Sequence, residues 1–554
     1  MPTLADITTL IPVAVFVLAA LVAALVLARR GAQSKADRRI LADYGRVPEV
    51  RRDDLSHLKP YHEAFAEAHP NARRLDGTTW NDLGMDEVFL RLNVCSSSVG
   101  EEYLCHMLHE LRENRGDLDG FERLVRWLDA HEPERLRLTK LLGAVGKRRH
   151  NGLSAYLFHA GAKRLKHPWL YAALAALPLS GLALVPLLPG AGISLTLVSV
   201  FVNILVYYRS RLALEKEFDA MRYFSALVYG AKAIDGRLGE ELRALGIDLK
   251  APLKPFVKTH GLVPGNVRNG MAELESLVII AKSVFLVDLM LYNHTVGLML
   301  RHARALNALF ETVGKLDAAL SVASFRRSLP RFCEPEFREG GGIGFSGMYH
   351  PLLANPVPNS ARIGNDSIVT GSNASGKSTF IKAVAVNCIL AQTIGTCCAE
   401  SFSLDFFYVA TSMALRDDIL AGESYFVAEV KSLRRILEYC RAQRCAVFVD
   451  EILRGTNTPE RIASSVAVLR TLHETGSLCL VASHDVELTS ILAGVYDNYH
   501  FSEKFEGGEI TFDYLLKEGP SRSANAIRLL ESLGFEQRIV EEARAFLETA
   551  EHKM

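Results

Sequence analysis

Ser367-Ile-Val-Thr370-Gly371-Ser372-Asn373-Ala374-Ser375-Gly376-Lys377-Ser378-Thr379 decides the fold of the C-terminal part of the chain. Residues 371–378 fit the pattern G-x-x-x-x-G-K-[ST], the four residues ahead of them read as a strand, and Thr379 to Ala391 reads as a helix. A strand, a glycine loop and a helix in that order make a phosphate cradle. The glycines let backbone N–H groups turn inward, and the helix start adds its positive end. In such a cradle Lys377 reaches the β- and γ-phosphates, and the Ser378 hydroxyl ligates magnesium, so ATP and Mg2+ are the ligands predicted.

Downstream, Cys445-Ala-Val-Phe-Val-Asp450-Glu451 is an apolar β-rich run ending in two acids. A buried strand of this kind presents Asp450 to the magnesium shell and Glu451 to an attacking water. A third strand, Ser477 to Ala482, leads to Ser483 and His484, which puts an imidazole at another strand end within reach of a γ-phosphate. Between the first two motifs, Leu420-Ala-Gly422-Glu423-Ser424 opens an amphipathic helix that runs to Tyr439. A hydroxyl at a helix start binds anions, and Ser424 reads equally well as a γ-phosphate ligand and as an ordinary N-cap.

Further upstream the chain is helical and in places strongly apolar. The whole chain is 49% hydrophobic and 23% charged with a mean hydropathy of +0.12, which excludes general disorder and suits membrane segments. Ile7 to Ala28 is an uncharged apolar run followed by Arg29, Arg30, Lys35, Arg38 and Arg39, which predicts a transmembrane helix with its N-terminus outside. Trp169 to Leu188, a break at Pro189-Gly190-Ala191-Gly192, and Ile193 to Tyr208 predict a transmembrane hairpin whose second arm is short. Leu274 to Leu300 is nearly as apolar but carries Lys282, Asp288 and His294, and is expected to be one amphipathic helix packed in the cytoplasm. A loop is expected around Asn71 to Trp80 and another near His260 to Gly270.

With 63 basic and 63 acidic residues the net charge is zero, so nucleic-acid contact requires a local patch. Lys250, Lys254, Lys258 and Arg268 form one, which reads first as a solvated face. The nine cysteines contain no C-x-x-C pair and predict no zinc site or disulfide framework.

The ordered motifs together resemble the ATPase domain of the MutS mismatch-repair family, a branch of the ABC-type ATPases. Tyr349-His350-Pro351 with Pro356 to Asn359 is similar to the family's segment beside the nucleotide base, which implies His350 in the ATP site. Thr370 to Thr379 is similar to its phosphate loop, Asp418 to Phe426 to its D-x-L-x-x-G-x-S-T-F, Asp450 to Thr458 to its D-E-x-G-R-G-T-S-T, and Ala482 to Leu488 to its A-T-H-Y-x-E-L. Phe512 to Ala543 resembles its closing strand and dimerisation helices. Ser372, Ala374, Ser375 and Leu453 depart from the family pattern, and none removes a group with direct chemistry.

The resemblance implies an α/β P-loop ATPase domain over 336–554, preceded by an all-α core and lever region with transmembrane helices. The remaining boundaries are a membrane helix at 1–28, a cytoplasmic helical core at 29–165, a membrane hairpin at 166–208 and levers at 209–335. It also implies a likeness without the mismatch-reading domain, a homodimer in which Ser424 completes the partner's site, and catalytic roles for Lys377, Glu451, His484 and Ser424. The expected molecule is an ATPase in the inner membrane with its ATPase domain in the cytoplasm, acting on DNA. A nucleotide-switched membrane scaffold for a protein partner and an ATP-driven transporter are the alternatives.

Overall fold

The computed structural model describes residues 4–49, 54–149, 151–158, 164–257, 272–372, 375–413, 425–506, 509–520, 527, 530–531 and 534–551. Asn373, Ala374, Lys258, Arg268, Ser424 and the expected loop near 260–270 lie outside the described residues.

The first helices are α1 (Leu4–Asp43), α2 (Lys59–Ala68), α3 (Gly77–Asp82), α4 (Met85–Leu92), α5 (Ser98–His109), α6 (Arg115–Ala130), α7 (Glu132–Val145) and α8 (Ser154–Leu157). The predicted loop at 71–80 ends early: Asp76 accepts the Thr79 N–H at 2.7 Å and starts α3 at Gly77. The first apolar run is part of one 40-residue helix that continues through the basic cluster. Its far end docks on the helical core, where Lys140 pairs with Asp37 at 2.5 Å and Tyr44 donates to Asp129 at 2.7 Å.

Next come α9 (Pro168–Leu184), α10 (Pro189–Ala213), α11 (Glu215–Asp235), α12 (Glu240–Ala244), α13 (Lys250–Leu253), α14 (Ala272–Val284), α15 (Val287–Arg301) and α16 (Ala303–Ser328). α10 is 25 residues, long and apolar enough to cross a bilayer, while α9 is shorter at 17. The expectation of a short second arm is therefore reversed. Pro189-Gly190-Ala191-Gly192 forms the first turn of α10, because a proline there forgoes an N–H that has no helical acceptor and already has a helical φ. The two helices cross closely at Gly181, where an added Cβ would lie 2.8 Å from the Thr196 nitrogen. Leu179, Leu182, Leu197, Val198 and Phe201 point outward and are exposed.

The expected single helix at 274–300 is broken. α14 and α15 meet at a 73° bend, with Leu286 in the left-handed region at φ 49°. Lys282 pairs with Asp288 across the bend at 3.3 Å, and Tyr207 donates to Asp288 at 3.0 Å, so these charges lie inside the packing instead of on an amphipathic surface. Asn203, fully buried on α10, donates to the carbonyls of Leu174 and Val284, both at 2.8 Å. One amide thus joins α9, α10 and the bend.

α16 is the spine of the helical region. Leu306, Leu309, Phe310, Val313 and Leu316 recur at helical spacing and are buried, and α16 packs on α5 and α6. Asp317 on α16 accepts the N–H groups of Ser96 and Ser97 at 2.9 and 2.8 Å, which fixes the start of α5. Burial pushes its carboxyl up to about 6, and burial pushes the nearby Glu102 carboxyl, hydrogen-bonded by Asn151, up to about 8. Unfolded, both groups ionise near pH 4, so between about pH 4 and pH 8 the unfolded chain holds fewer protons than the folded one and stability falls as pH rises. We expect the melting temperature to drop across that window and Glu102→Gln to flatten the drop. Thermal melts at stepped pH read this directly, and an unchanged slope in the variant would refute it.

The C-terminal domain contains β1 (Glu336–Phe337), β2 (Ile343–Met348), β3 (Asn359–Ile363), β4 (Ser367–Thr370), α17 (Lys377–Ile394), β5 (Ser401–Leu404), β6 (Tyr408–Ser412), α18 (Tyr425–Ala442), β7 (Cys445–Asp450), α19 (Thr458–Glu474), β8 (Leu478–Ala482), α20 (Glu487–Ile491), β9 (Asp497–His500), β10 (Glu503–Glu506), β11 (Glu509–Phe512) and β12 (Lys517–Glu518). Among the described residues, one sheet has the order β12-β9-β4-β8-β7-β6, parallel except for β12, and another has the order β1-β5-β2-β3. β4, β6 and β8 are buried at every position, as parallel strands covered on both faces are. A closing helix spans Gln537–Glu551.

Two clusters of polar contacts stand out among those that join the helical region to this domain. Arg326, 6% exposed near the end of α16, donates to both carboxylate oxygens of Glu122 at 2.8 and 2.6 Å, to Thr396 at 2.9 Å and to the Gly395 carbonyl at 3.0 Å. It therefore caps the C-terminal end of α17. At the sheet edge, Asp82 of α3 accepts from Thr411 Oγ1 at 2.8 Å and from the Met413 N–H at 3.0 Å, while Asp76 pairs with Arg435 of α18.

Candidate functional site

The site is assembled at the C-terminal ends of β4, β7 and β8, three neighbouring parallel strands. Parallel strands all end on one side, so residues far apart in sequence converge there. β4 delivers the phosphate loop. Gly371 and Gly376 have φ of 137° and 98°, values only glycine adopts without strain. At Gly376 an added Cβ would also lie 3.0 Å from the Tyr514 ring, so the loop is roofed.

Lys377 begins α17 and is 2% exposed. Its ammonium donates to the Gly371 carbonyl and, at 2.8 Å, to the Ser372 carbonyl, so the loop holds its own lysine. Burial pulls its pKa below the usual lysine value, with Glu451 and Asp450 opposing that shift. Ser378 is half-buried and Thr379 exposed in the next positions of the helix.

β7 delivers the two acids. Asp450 keeps one buried carboxylate oxygen, Oδ1, that has no hydrogen-bond partner among the described residues. Glu451 is 8% exposed, sits at φ 60°, and is ion-paired with Arg454. β8 delivers His484, whose Nδ1 is 3.8 Å from Glu451 Oε1 and whose Nε2 is 3.7 Å from Asp485 Oδ1. Asp485 is in turn held by Arg461 through two hydrogen bonds of 2.9 and 2.7 Å.

Beside the loop lies a cavity of about 340 Å³, lined by His350, Leu353, Thr379, Phe380, Phe501 and Tyr514 among others. Its aromatic and apolar walls suit a purine ring. Burial lowers the His350 pKa to about 4, which keeps the ring neutral near pH 7, and its Nδ1 accepts the Leu352 N–H at 3.3 Å. Asn359 donates to the Tyr514 carbonyl at 3.0 Å and accepts from the Leu516 N–H at 2.7 Å, which fixes the connection between β11 and β12 that roofs the cavity.

The donors fit a magnesium nucleotide: a glycine cradle, a buried ammonium, a hydroxyl at the helix start and an orphaned buried carboxylate oxygen. The residues singled out in the sequence at 371, 372, 375–379, 450, 451 and 484 are brought together, and His350 lines the adjoining cavity. Glu429, Asp485 and Arg461 were not singled out. Glu429 is a buried acid on an otherwise amphipathic helix, and the acid after His484 stands where the family pattern has Tyr; those are the signals they left.

Residues 367–551 match the family description MutS domain V. The chain is similar to DNA mismatch repair protein MutS 2 of Haloarcula marismortui, 31% identical over 280 residues, covering 45% of this chain and 29% of the relative. It is similar to DNA mismatch repair protein MutS of Thermus thermophilus, 30% identical over 254 residues, 45% of this chain and 31% of the relative. A third relative, DNA mismatch repair protein MutS of Listeria welshimeri, is 27% identical over 298 residues, 51% of this chain and 34% of the relative. The chain thus spans about a third of the length of the curated relatives it matches. Residues 367–551 form a MutS domain V, an ATPase domain distantly related to that of the DNA mismatch repair MutS proteins.

Proposed function

We propose that this chain is a membrane-anchored ATPase that closes as a homodimer on ATP and acts on DNA. The observation that carries the hydrolytic part is the convergence of Lys377, Asp450, Glu451 and His484 at three adjacent strand ends. Lys377 leaves its loop carbonyls for the phosphates, the backbone of the loop cradles them, and the Glu451 carboxylate takes a proton from the attacking water. His484, beside Glu451, holds the water and γ-phosphate in line. Ser378 and Asp450 suit a magnesium ion, which when bound supplies charge neutralisation for the phosphates. Ser424 of a second copy completes the closed site, as the resemblance implies.

Membrane anchoring is supported by the hairpin. A 25-residue apolar helix and its 17-residue neighbour turn Leu179, Leu182, Leu197, Val198 and Phe201 outward, an exposed apolar face that a bilayer would cover. Arg164 and Lys166 before the hairpin and Arg209 and Arg211 near its end favour an inner-membrane, multi-pass arrangement with the ATPase domain in the cytoplasm. The DNA part is supported by the relatives' names and by Lys250 at the start of α13 and Lys254 just after its end, both exposed.

The test is ATPase activity of the detergent-solubilised full chain with duplex, mismatched and branched DNA at two salt concentrations. Stimulation that weakens as salt rises is expected, because phosphate contacts release counterions. Turnover indifferent to every DNA would replace this reading by the protein-partner switch. Recovery of the protein in the soluble fraction of lysed cells would overturn the anchoring.

A further inference from the structure

Cys333 and Cys397 face each other across an antiparallel bridge. Cys333 lies between α16 and β1, Cys397 between α17 and β5, and each donates its N–H to the other's carbonyl, at 3.0 and 2.9 Å. In a hydrogen-bonded antiparallel pair the two Cα atoms stand about 5.5 Å apart with both side chains on one face. A disulfide spans that separation with the backbone where it is, because its usual Cα distance runs from roughly 4.4 to 6.8 Å. The Cys397 thiol hydrogen-bonds the Cys333 sulfur, which lowers the Cys333 pKa against the effect of burial, while burial raises that of Cys397. Cys333 is therefore the sulfur that ionises, and Cys397 the one that keeps its proton.

Exposure separates the two in the same sense. Eight of the nine cysteines are buried, Cys397 completely, and Cys333 is half-buried. A solute reaches Cys333 first. Cys398, next in sequence, is buried and engaged with Tyr349 instead. Cys440 and Cys445 also share a thiol hydrogen bond, but both are buried, so neither is open to an oxidant.

We propose that Cys333 and Cys397 form a peroxide-reactive dithiol, in which a hydroperoxide oxidises Cys333 and Cys397 closes a reversible disulfide onto it. The Cys333 thiolate attacks a peroxide oxygen, the O–O bond breaks, and the departing hydroxide takes up a proton as water, leaving Cys333 as a sulfenic acid. The Cys397 sulfur then attacks the Cys333 sulfur, the S–O bond breaks, and the Cys397 proton leaves with the hydroxide as a second water. The two thiols lose two electrons and the peroxide gains them. The new bond joins the segment that leaves α16 to the segment that leaves α17, beside Arg326, whose guanidinium already donates to Thr396 and to the Gly395 carbonyl. Oxidation thus turns a hydrogen-bonded joint, where the helical region enters the ATPase domain, into a covalent one.

The full chain, reduced and freed of reductant, is treated with hydrogen peroxide, its remaining thiols are alkylated, and its peptides are mapped by mass spectrometry without reduction. A linked peptide pair carrying Cys333 and Cys397 is expected, lost on treatment with dithiothreitol, and the linked protein is expected to melt several degrees higher than the reduced one. Cys397→Ser removes the resolving sulfur, so Cys333 should persist as a sulfenic acid that dimedone traps several-fold more than in wild type. Cys333→Ser should leave the buried Cys397 unoxidised. Melting curves of the reduced variants check folding, and none of these readouts depends on ATP turnover. Wild-type Cys333 trapped as fully as in Cys397→Ser, a link from Cys333 to Cys398 or Cys388 instead, or oxidation of Cys397 in Cys333→Ser would overturn the proposal. So would a wild-type chain whose Cys333 stays reduced at a peroxide excess that oxidises free cysteine.

Discussion

Glu451→Gln is expected to lower kcat for ATP hydrolysis by about 10²–10⁴-fold, the usual contribution of a positioned general base, with nucleotide affinity largely kept. The reason is positional. Glu451 ends β7, is 8% exposed, and neighbours Lys377 and His484 at the mouth of the phosphate loop, while glutamine has the same shape and no basic oxygen. ATP binding followed with a fluorescent analogue, and single-turnover hydrolysis, separate the two steps. A variant that turns over within a few-fold of wild type would move the role of base to His484.

Arg326→Met is expected to destabilise the fold by about 2–3 kcal/mol, below the roughly 3–5 kcal/mol of a buried ion pair that loses its only partner, because Arg126 still donates to Glu122 at 2.9 Å. Glu122 would be left 14% exposed without its bidentate donor, and the Gly395 and Ile394 carbonyls at the end of α17 would lose theirs. Lysine should rescue only part, since a single ammonium cannot reproduce the fork that reaches Glu122, Thr396 and Gly395 together. Denaturant titration of the purified chain reads the loss, and a midpoint equal to wild type would show that the cap is dispensable.

The parts of this molecule that were legible in the sequence are those whose signal is local. Ser367–Thr370, Cys445–Asp450 and Leu478–Ala482 are strands buried on both faces, and such strands announce themselves as short apolar runs ending in functional side chains. The phosphate loop is legible because its glycines are dictated by backbone geometry. The bend at Leu286 was not, because it depends on Lys282, Asp288 and Tyr207 meeting across two elements, and apolar periodicity runs straight through it. The 25-residue span of α10 was missed because Pro and Gly punctuate loops more often than they open helices. Glu429, Arg461 and Arg326 act through partners that lie 24 and 204 positions away, and no window of sequence contains such pairs.

The clamp made by α3 has a consequence for binding energetics. Met413, just after β6, and Arg435 of α18 are both held from outside the ATPase domain, by Asp82 of α3 and by Asp76, the residue that caps the start of α3. A substitution that shifts α3 is therefore expected to change nucleotide affinity through the far edge of the sheet, with every residue of the phosphate loop left unchanged.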